Sequence, residues 1–227
     1  MDQTRITIVG GGTGALGSAV VRRLVADGRK VVVPARRPEN AGLPEAVRVL
    51  RCDLAVPAEV DAFGVQALSI GPCEALVNCS GGFAAGAAST IDDEVITQQL
   101  VVNLLGPWRL ARIAARSMIE SGIAGRIVTV LSRAAVDVVS NQAGYQVSKA
   151  AAARLTLVLA RELRERRITV NAVLPSVIDT AANRESMPAD HRERWVPVER
   201  VAAVIDWLLS PEAGDVSGAL LPVYGAA

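Results

Sequence analysis

Aromatic residues are scarce in this chain of 227 residues, which has three Trp, two Tyr and two Phe. A core of this size must then be filled by Ala, Val, Leu and Ile, which suits close packing of helices on a sheet. Histidine is rarer still, with His191 alone. That excludes a zinc site built on several histidines, and a Ser-His-Asp triad unless His191 is its base. His191 lies in the polar run Pro188-Ala189-Asp190-His191-Arg192-Glu193-Arg194, which reads as solvated surface. The three cysteines, Cys52, Cys73 and Cys79, are odd in number and lack Cys-x-x-Cys spacing. A disulfide framework is therefore not expected, nor is a metal site. An excess of one charge is missing too: 24 Lys and Arg stand against 23 Asp and Glu. Such a balance carries no electrostatic footprint for nucleic acid or an acidic membrane. No apolar run approaches the roughly 18 residues of a membrane span, and no charged-then-apolar leader precedes the first strand-like run. The expectation is a soluble cytoplasmic protein whose residues 1–227 form one domain.

Short apolar, β-branched runs alternate with longer segments of helical period. Strand-like runs cover 5–9, 30–34, 47–51, 75–78, 126–131, 169–174 and 219–223, with helical patterns near 15–27, 57–68, 93–121, 144–166 and 198–209. Nearly continuous apolar strands separated by helices predict a parallel sheet covered on both faces, an α/β doubly wound Rossmann fold. The basic stretch 161–167 interleaves glutamates and falls at a helix C-terminus, where the macrodipole favours cations. Trp108 and Trp207 are expected at core or interface positions. The two long helices have broad apolar surfaces, able to bury one face on the sheet and to offer another to a partner subunit.

The first strand runs into Gly10-Gly11-Gly12-Thr13-Gly14-Ala15-Leu16-Gly17 and then a helix. In that context glycines let the backbone approach a pyrophosphate seated among the free N–H groups of the helix N-terminus. Gly11, Thr13, Gly14, Ala15, Leu16 and Gly17 are the candidate contacts. The second strand ends in Val33-Pro34-Ala35-Arg36-Arg37, with no carboxylate to hold the ribose hydroxyls of NAD. Arg36 and Arg37 suit a 2′-phosphate, so NADP(H) is favoured over NAD(H).

Tyr145 and Lys149 lie four apart on a predicted helix and therefore share a face. A phenol ionises near pH ~10, and a neighbouring ammonium is expected to lower that value. Such a phenol can exchange a proton with an alcohol or carbonyl oxygen.

Together these residues resemble the short-chain dehydrogenase/reductase family, over essentially the whole chain. Gly10 to Gly17 is similar to its Thr-Gly-x-x-x-Gly-x-Gly turn, with Gly10 in place of the threonine and Ala15 in place of the middle glycine. The resemblance implies that Asp53 contacts the adenine, with Leu54 beside it. It likens Asn78-Cys79-Ser80-Gly81 to the family's Asn-Asn-Ala-Gly segment, and so adds Asn78, Ser80 and Gly81 to the cofactor site. Pro175-Ser176-Val177-Ile178-Asp179-Thr180 resembles the segment that closes over the nicotinamide, bringing in Pro175, Ile178 and Thr180. By the same resemblance Asn103, Ser132, Tyr145 and Lys149 form the catalytic set. Tyr145 would be the acid or base, and Lys149 would tune it and hold the nicotinamide ribose. Ser132 would bind the substrate oxygen, and Asn103 would anchor a water leading to Lys149. The segment 178–196 would be a substrate lid, with Met187 and Trp195 either touching substrate or pinning the lid. The implied activity is hydride transfer between NADP(H) and a small-molecule carbonyl or alcohol, in a homodimer or homotetramer. A narrower likeness to the dihydropteridine reductase branch runs through Gly11 to Ser18, 174–195 and 217–223, but Ser132 speaks against that branch. A non-catalytic NADP-binding sensor and a structural protein using the long helices are the competing readings.

Overall fold

Valine and isoleucine crowd the runs that become strands, because their branched side chains fit a pleated surface buried on both sides. The computed structural model describes residues 5–40 and 42–226. Seven strands form one parallel sheet: β1 (Ile6–Gly10), β2 (Val31–Ala35), β3 (Arg48–Arg51), β4 (Cys73–Asn78), β5 (Arg126–Val130), β6 (Thr169–Pro175) and, as the last to join it, Leu220–Val223. Two further short strands, β7 (Ile178–Asp179) and β8 (Val196–Pro197), pair with each other, so the Leu220–Val223 strand is β9. The order across the sheet is β3-β2-β1-β4-β5-β6-β9. All residues of β1, β2 and β6 are buried, as a sheet covered on both faces requires. Pro222, which cannot donate to a ladder, sits in the edge strand β9.

The helices are α1 (Ala15–Ala26), α2 (Pro57–Leu68), α3 (Asp93–Leu100), α4 (Gly106–Glu120), α5 (Ala143–Leu163), α6 (Ala181–Ser186) and α7 (Val198–Leu209). Alternation along the strands sorts the core into two layers. Ile6, Ile8, Leu76 and Ile127 pack with Phe63 of α2 and Leu110 and Met118 of α4. Val9, Val33, Val128 and Val173 pack with Val20, Val21 and Leu24 of α1 and Val201, Ile205 and Leu208 of α7. This is the doubly wound architecture that the alternating pattern predicts. Its chain reverses direction across the sheet between β1 and β4, which opens a crevice at their C-terminal ends.

The predicted helix over 93–121 is not continuous. Residues Val101–Leu105 form a π-turn between α3 and α4. Pro107 has no N–H to give the carbonyl of Asn103 four residues earlier, so the regular ladder cannot run through. The extra residue in the turn swings Asn103 inwards, where it is buried. Trp108 and Trp207 are both partly exposed on helix surfaces rather than in the core. The stretch 161–167 closes α5 as expected, ending with Arg167 in the left-handed region.

Phe63 is the largest fully buried side chain among the described residues. Phe63→Ala should destabilise the fold by about 3–5 kcal/mol, read as a lower urea midpoint at unchanged slope.

Candidate active site

The crevice is lined first by glycines. Gly11 has φ +70, and a Cβ there would lie 2.6 Å from the Ser80 nitrogen. A Cβ on Gly17 would lie 2.1 Å from the Gly11 carbonyl oxygen, so only glycine lets α1 start so close to β1. The N-terminus of α1 carries no acidic residue in its first turn and no side-chain cap, which leaves its N–H groups for an anion. Thr13, Gly14 and Ala15 are exposed at this mouth, while Leu16 is buried as packing beneath it. Across the crevice, Asn78 Oδ1 and Ser80 Oγ are buried with no hydrogen-bond partner. A glycine cradle at a helix N-terminus, faced by unpaired buried polar atoms, fits the phosphates of a dinucleotide.

At the end of β2 a cavity of about 610 Å³ is lined by Thr13, Ala35, Arg36, Arg37, Arg51, Asp53 and Glu59. Arg36 and Arg37 are exposed and have no ion-pair partner among the described residues. Arg51 was not anticipated. It is placed by the β2–β3 register, in which Ala35 opposes Arg51, and its Nη1 lies 3.4 Å from the Arg36 carbonyl oxygen. Its position two residues before Asp53, at a strand end, was the available signal. Asp53 accepts from the Ala55 N–H at 2.9 Å, and its own N–H donates to Glu59 at 2.8 Å. Leu54 lies apart from both cavities, packed against Gly106.

The second cavity, about 880 Å³, holds Ser132 and Tyr145 on its wall beside Pro175, Ile178 and Met187. Ser132 follows β5 in extended conformation, and its Oγ accepts from the Ala134 N–H at 3.2 Å. That leaves the hydroxyl proton free to donate. Tyr145 projects from the first turn of α5, with the Phe83 ring edge-on to it at 5.1 Å. One turn later Lys149 is buried; its Nζ donates to the Val130 carbonyl at 3.2 Å and lies 5.8 Å from the centre of the Tyr145 ring.

Asn103 joins this cluster through its side chain. Its Oδ1 accepts from the Gly82 N–H at 2.9 Å, and its Nδ2 lies 3.0–3.1 Å from the Gly82 carbonyl, Gln99 Oε1 and Ser148 Oγ. Gln99 and Ser148 are not foreseen from the sequence, being ordinary polar residues, one a turn before Asn103 and the other next to Lys149. Gly81 is confined between the two functional groups: a Cβ there would lie 2.8 Å from Asn103 Oδ1 and 3.2 Å from Lys149 Nζ.

The expected effect of Lys149 on Tyr145 needs correction. Burial pushes the phenol above its usual value, opposed only by Ser132. The ammonium faces Val130 rather than the phenolic oxygen, so desolvation wins. Lys149 itself is pushed down to about 8 by burial. Cys79, beside it, is raised to about 12 for the same reason.

The segment 178–196 begins with β7 and ends with β8, which tie its two ends together. Thr180 lines neither cavity; its hydroxyl caps α6 by accepting from the Asn183 N–H at 3.2 Å. Asp179 and Arg184 form a bidentate pair. Met187 reaches the larger cavity, whereas Trp195 is buried beneath Arg192, 5.5 Å from its ring. Ser176, where the resembling motif has glycine, has no positive φ. His191 is exposed near Glu193, as expected of a surface histidine.

A glycine cradle at the reversal point of a parallel sheet defines the doubly wound nucleotide-binding class. Within it, the family model for "short chain dehydrogenase" matches residues 5–191, and the chain belongs to that family. It is 33% identical to the 3-oxoacyl-[acyl-carrier-protein] reductase MabA of Mycobacterium tuberculosis, over 98% of this chain and 92% of that protein. It is 31% identical to human L-xylulose reductase, over 97% and 95%. A crystal structure of a variant actinorhodin polyketide ketoreductase with NADPH superposes with a TM-score of 0.89 at 28% identity, over 98% of this chain and 96% of that one.

Lys149 has a lower pKa folded than unfolded, so its burial costs stability wherever both states are protonated, below about pH 8. The cost is relieved as pH rises from about 8 towards 10.5, because the unfolded chain then holds the extra proton. Lys149→Met should therefore raise the melting temperature at pH 7, by a stabilisation of roughly 3 kcal/mol at most, with the gain shrinking by pH 10. Thermal unfolding at both pH values checks this.

Proposed function

We propose that this chain is an NADP-dependent reductase of a small-molecule carbonyl compound, with Tyr145 as the proton donor. The observation that carries the reading is the convergence of Ser132 and Tyr145 on one cavity wall, with Lys149 buried a helical turn below. Bound NADPH would supply the hydride, and the protein the proton and the positioning. The glycine turn and the N-terminus of α1 would hold the pyrophosphate. Arg36, Arg37 and Arg51 would face the 2′-phosphate, with Asp53 at the adenine.

Ser132 accepts from the Ala134 N–H and keeps its hydroxyl proton to give, so it would bind and orient the carbonyl oxygen. A phenol holds its proton at neutral pH, and burial of Tyr145 shifts it further that way. That is the form able to protonate the alkoxide as it develops. Lys149, charged below about pH 8 and bonded to the Val130 carbonyl, would hold the nicotinamide ribose. The Asn103 side chain is committed to Gly82, so its part is to set this geometry; its main-chain carbonyl, which Pro107 cannot satisfy, would hold the water that returns a proton to Lys149. All three relatives are named as reductases, and one was crystallised with NADPH. Val102 and Trp108, with Val147 and Val158 of α5, leave apolar surface exposed on the long helices, which fits a homodimer or homotetramer.

Tyr145→Phe should lower kcat by at least about a thousandfold and leave NADPH affinity within a few-fold, by steady-state rates and fluorescence titration. Unchanged turnover would defeat the acid assignment, and NADPH binding without turnover by the wild type would favour a sensor. Replacing Arg36 and Arg37 together by Gln should raise KM for NADPH about tenfold or more and leave KM for NADH nearly unchanged, since a charge-assisted bond to phosphate contributes about 1.5–3 kcal/mol.

A further inference from the structure

In a chain with two phenylalanines, one is left 61% exposed inside the cleft, with its ring edge-on to Tyr145. It has apolar company on the same cavity wall: Val138 is 95% exposed, Val139 49% and Met187 38%. These side chains come from three separate segments, after β4, after β5 and after α6, and meet around one opening. The apolar loop is held in place, because both polar atoms of the Gln146 side-chain amide bond the backbone of Val139. A wall of this kind gains by covering its carbon surface with carbon.

The polar groups of the cleft are largely spent within the protein. Asn183 Nδ2 donates to the Ile178 carbonyl at 2.8 Å, Ser176 Oγ to the Tyr224 carbonyl at 2.8 Å and Ser186 Oγ to the Ala182 carbonyl at 2.8 Å. The two charges lining the cleft, Arg133 and Asp137, pair with each other, and the Arg133 guanidinium also lies over the Tyr224 ring at 5.2 Å. A carboxylate or phosphate on the substrate would find no free cation among the residues lining the cavity. Beyond Ser132 and Tyr145, the Gln142 amide is the one lining donor with no side-chain bond among the described residues, too few to replace the water that a polyhydroxylated substrate would lose.

We infer that the substrate is an uncharged ketone with an aryl or alkyl body, which lies on Phe83, Val138, Val139 and Met187 while its carbonyl meets Ser132 and Tyr145. The inference rests on the reductase reading and adds the substrate class to it. The reaction balances as hydride from NADPH to the carbonyl carbon and a proton from Tyr145 to the oxygen, giving a secondary alcohol and NADP⁺.

The test is NADPH oxidation by the full chain with a homologous series of straight-chain 2-alkanones, an aryl alkyl ketone, a ketose and a 2-oxo carboxylate. The expected result is a kcat/KM that climbs about fourfold per added methylene until the cleft is filled, as burial of each methylene predicts. The best neutral ketone should exceed the ketose and the oxo acid by at least about tenfold, and Phe83→Ser should flatten the climb. A flat series, or a preference for the ketose or the oxo acid, would overturn the inference while leaving the reductase standing. Should none of the four classes be turned over, the reductase reading fails, and calorimetry of the aryl ketone on the NADP⁺-loaded protein decides the rest. Binding weakened about tenfold by Phe83→Ser and by Val138→Ser would uphold the apolar site, and absence of binding would overturn it.

Discussion

The contact between Asn103 and Gly82 joins three parts of the chain that no local preference would bring together. One amide side chain pairs with both backbone groups of Gly82 beyond β4, and also reaches Gln99 in α3 and Ser148 in α5. Ser148 passes the constraint on by donating to the Tyr145 carbonyl at 2.8 Å, in the turn that carries the phenol. A buried network of this kind rigidifies because each member, left unpaired, would carry the full cost of lost hydration. The π-turn at Val101–Leu105, where Pro107 interrupts the regular ladder, adds the residue that turns Asn103 inwards. Gly81 is its counterpart, for any side chain there would collide with Asn103 or Lys149.

The other end of the crevice depends on close backbone approach instead. Gly11 and Gly17 let the β1–α1 turn press against itself and against Ser80, so the N-terminus of α1 opens into the gap between β1 and β4. The sheet order then determines the neighbours. Reversal of the chain between β1 and β4 leaves the crevice uncovered, while β2 and β3 bring Arg36, Arg37 and Arg51 to one of its sides. The arginine cluster and the Ser132–Tyr145 wall thus lie on opposite flanks of one reversal point, held apart by the sheet.

Electrostatics in the site is governed by water exclusion more than by pairing. The Tyr145 phenol is raised and the Lys149 ammonium lowered, both chiefly by burial, so each is moved towards its neutral form. A neutral phenol is the form needed to give a proton. The ammonium is retained at neutral pH at a cost in stability.

Much of this was legible beforehand. The alternation of valine-rich runs with helical periods placed every strand of the main sheet within two residues, and Pro57–Leu68 and Val198–Leu209 were read at their observed bounds. Gly17, Ser132, Tyr145 and Lys149 can be nominated as candidates from residue type and short spacing alone, and the fold brings the last three together. Arg51, Gln99, Ser148 and Phe83 cannot, since nothing local distinguishes them from surface or core residues. Their positions come from strand register, from the inward turn of Asn103 and from the approach of the Phe83 ring to Tyr145. The sign of the Tyr145 shift was likewise beyond reach, because four-residue spacing shows that an ammonium is near but not which oxygen it faces. Local geometry and hydrophobic period, which the sequence determines by itself, specify elements and nominate the chemistry. Burial, long-range hydrogen bonds and the character of the cleft were decided only by tertiary structure, because they depend on distances between residues far apart in the chain.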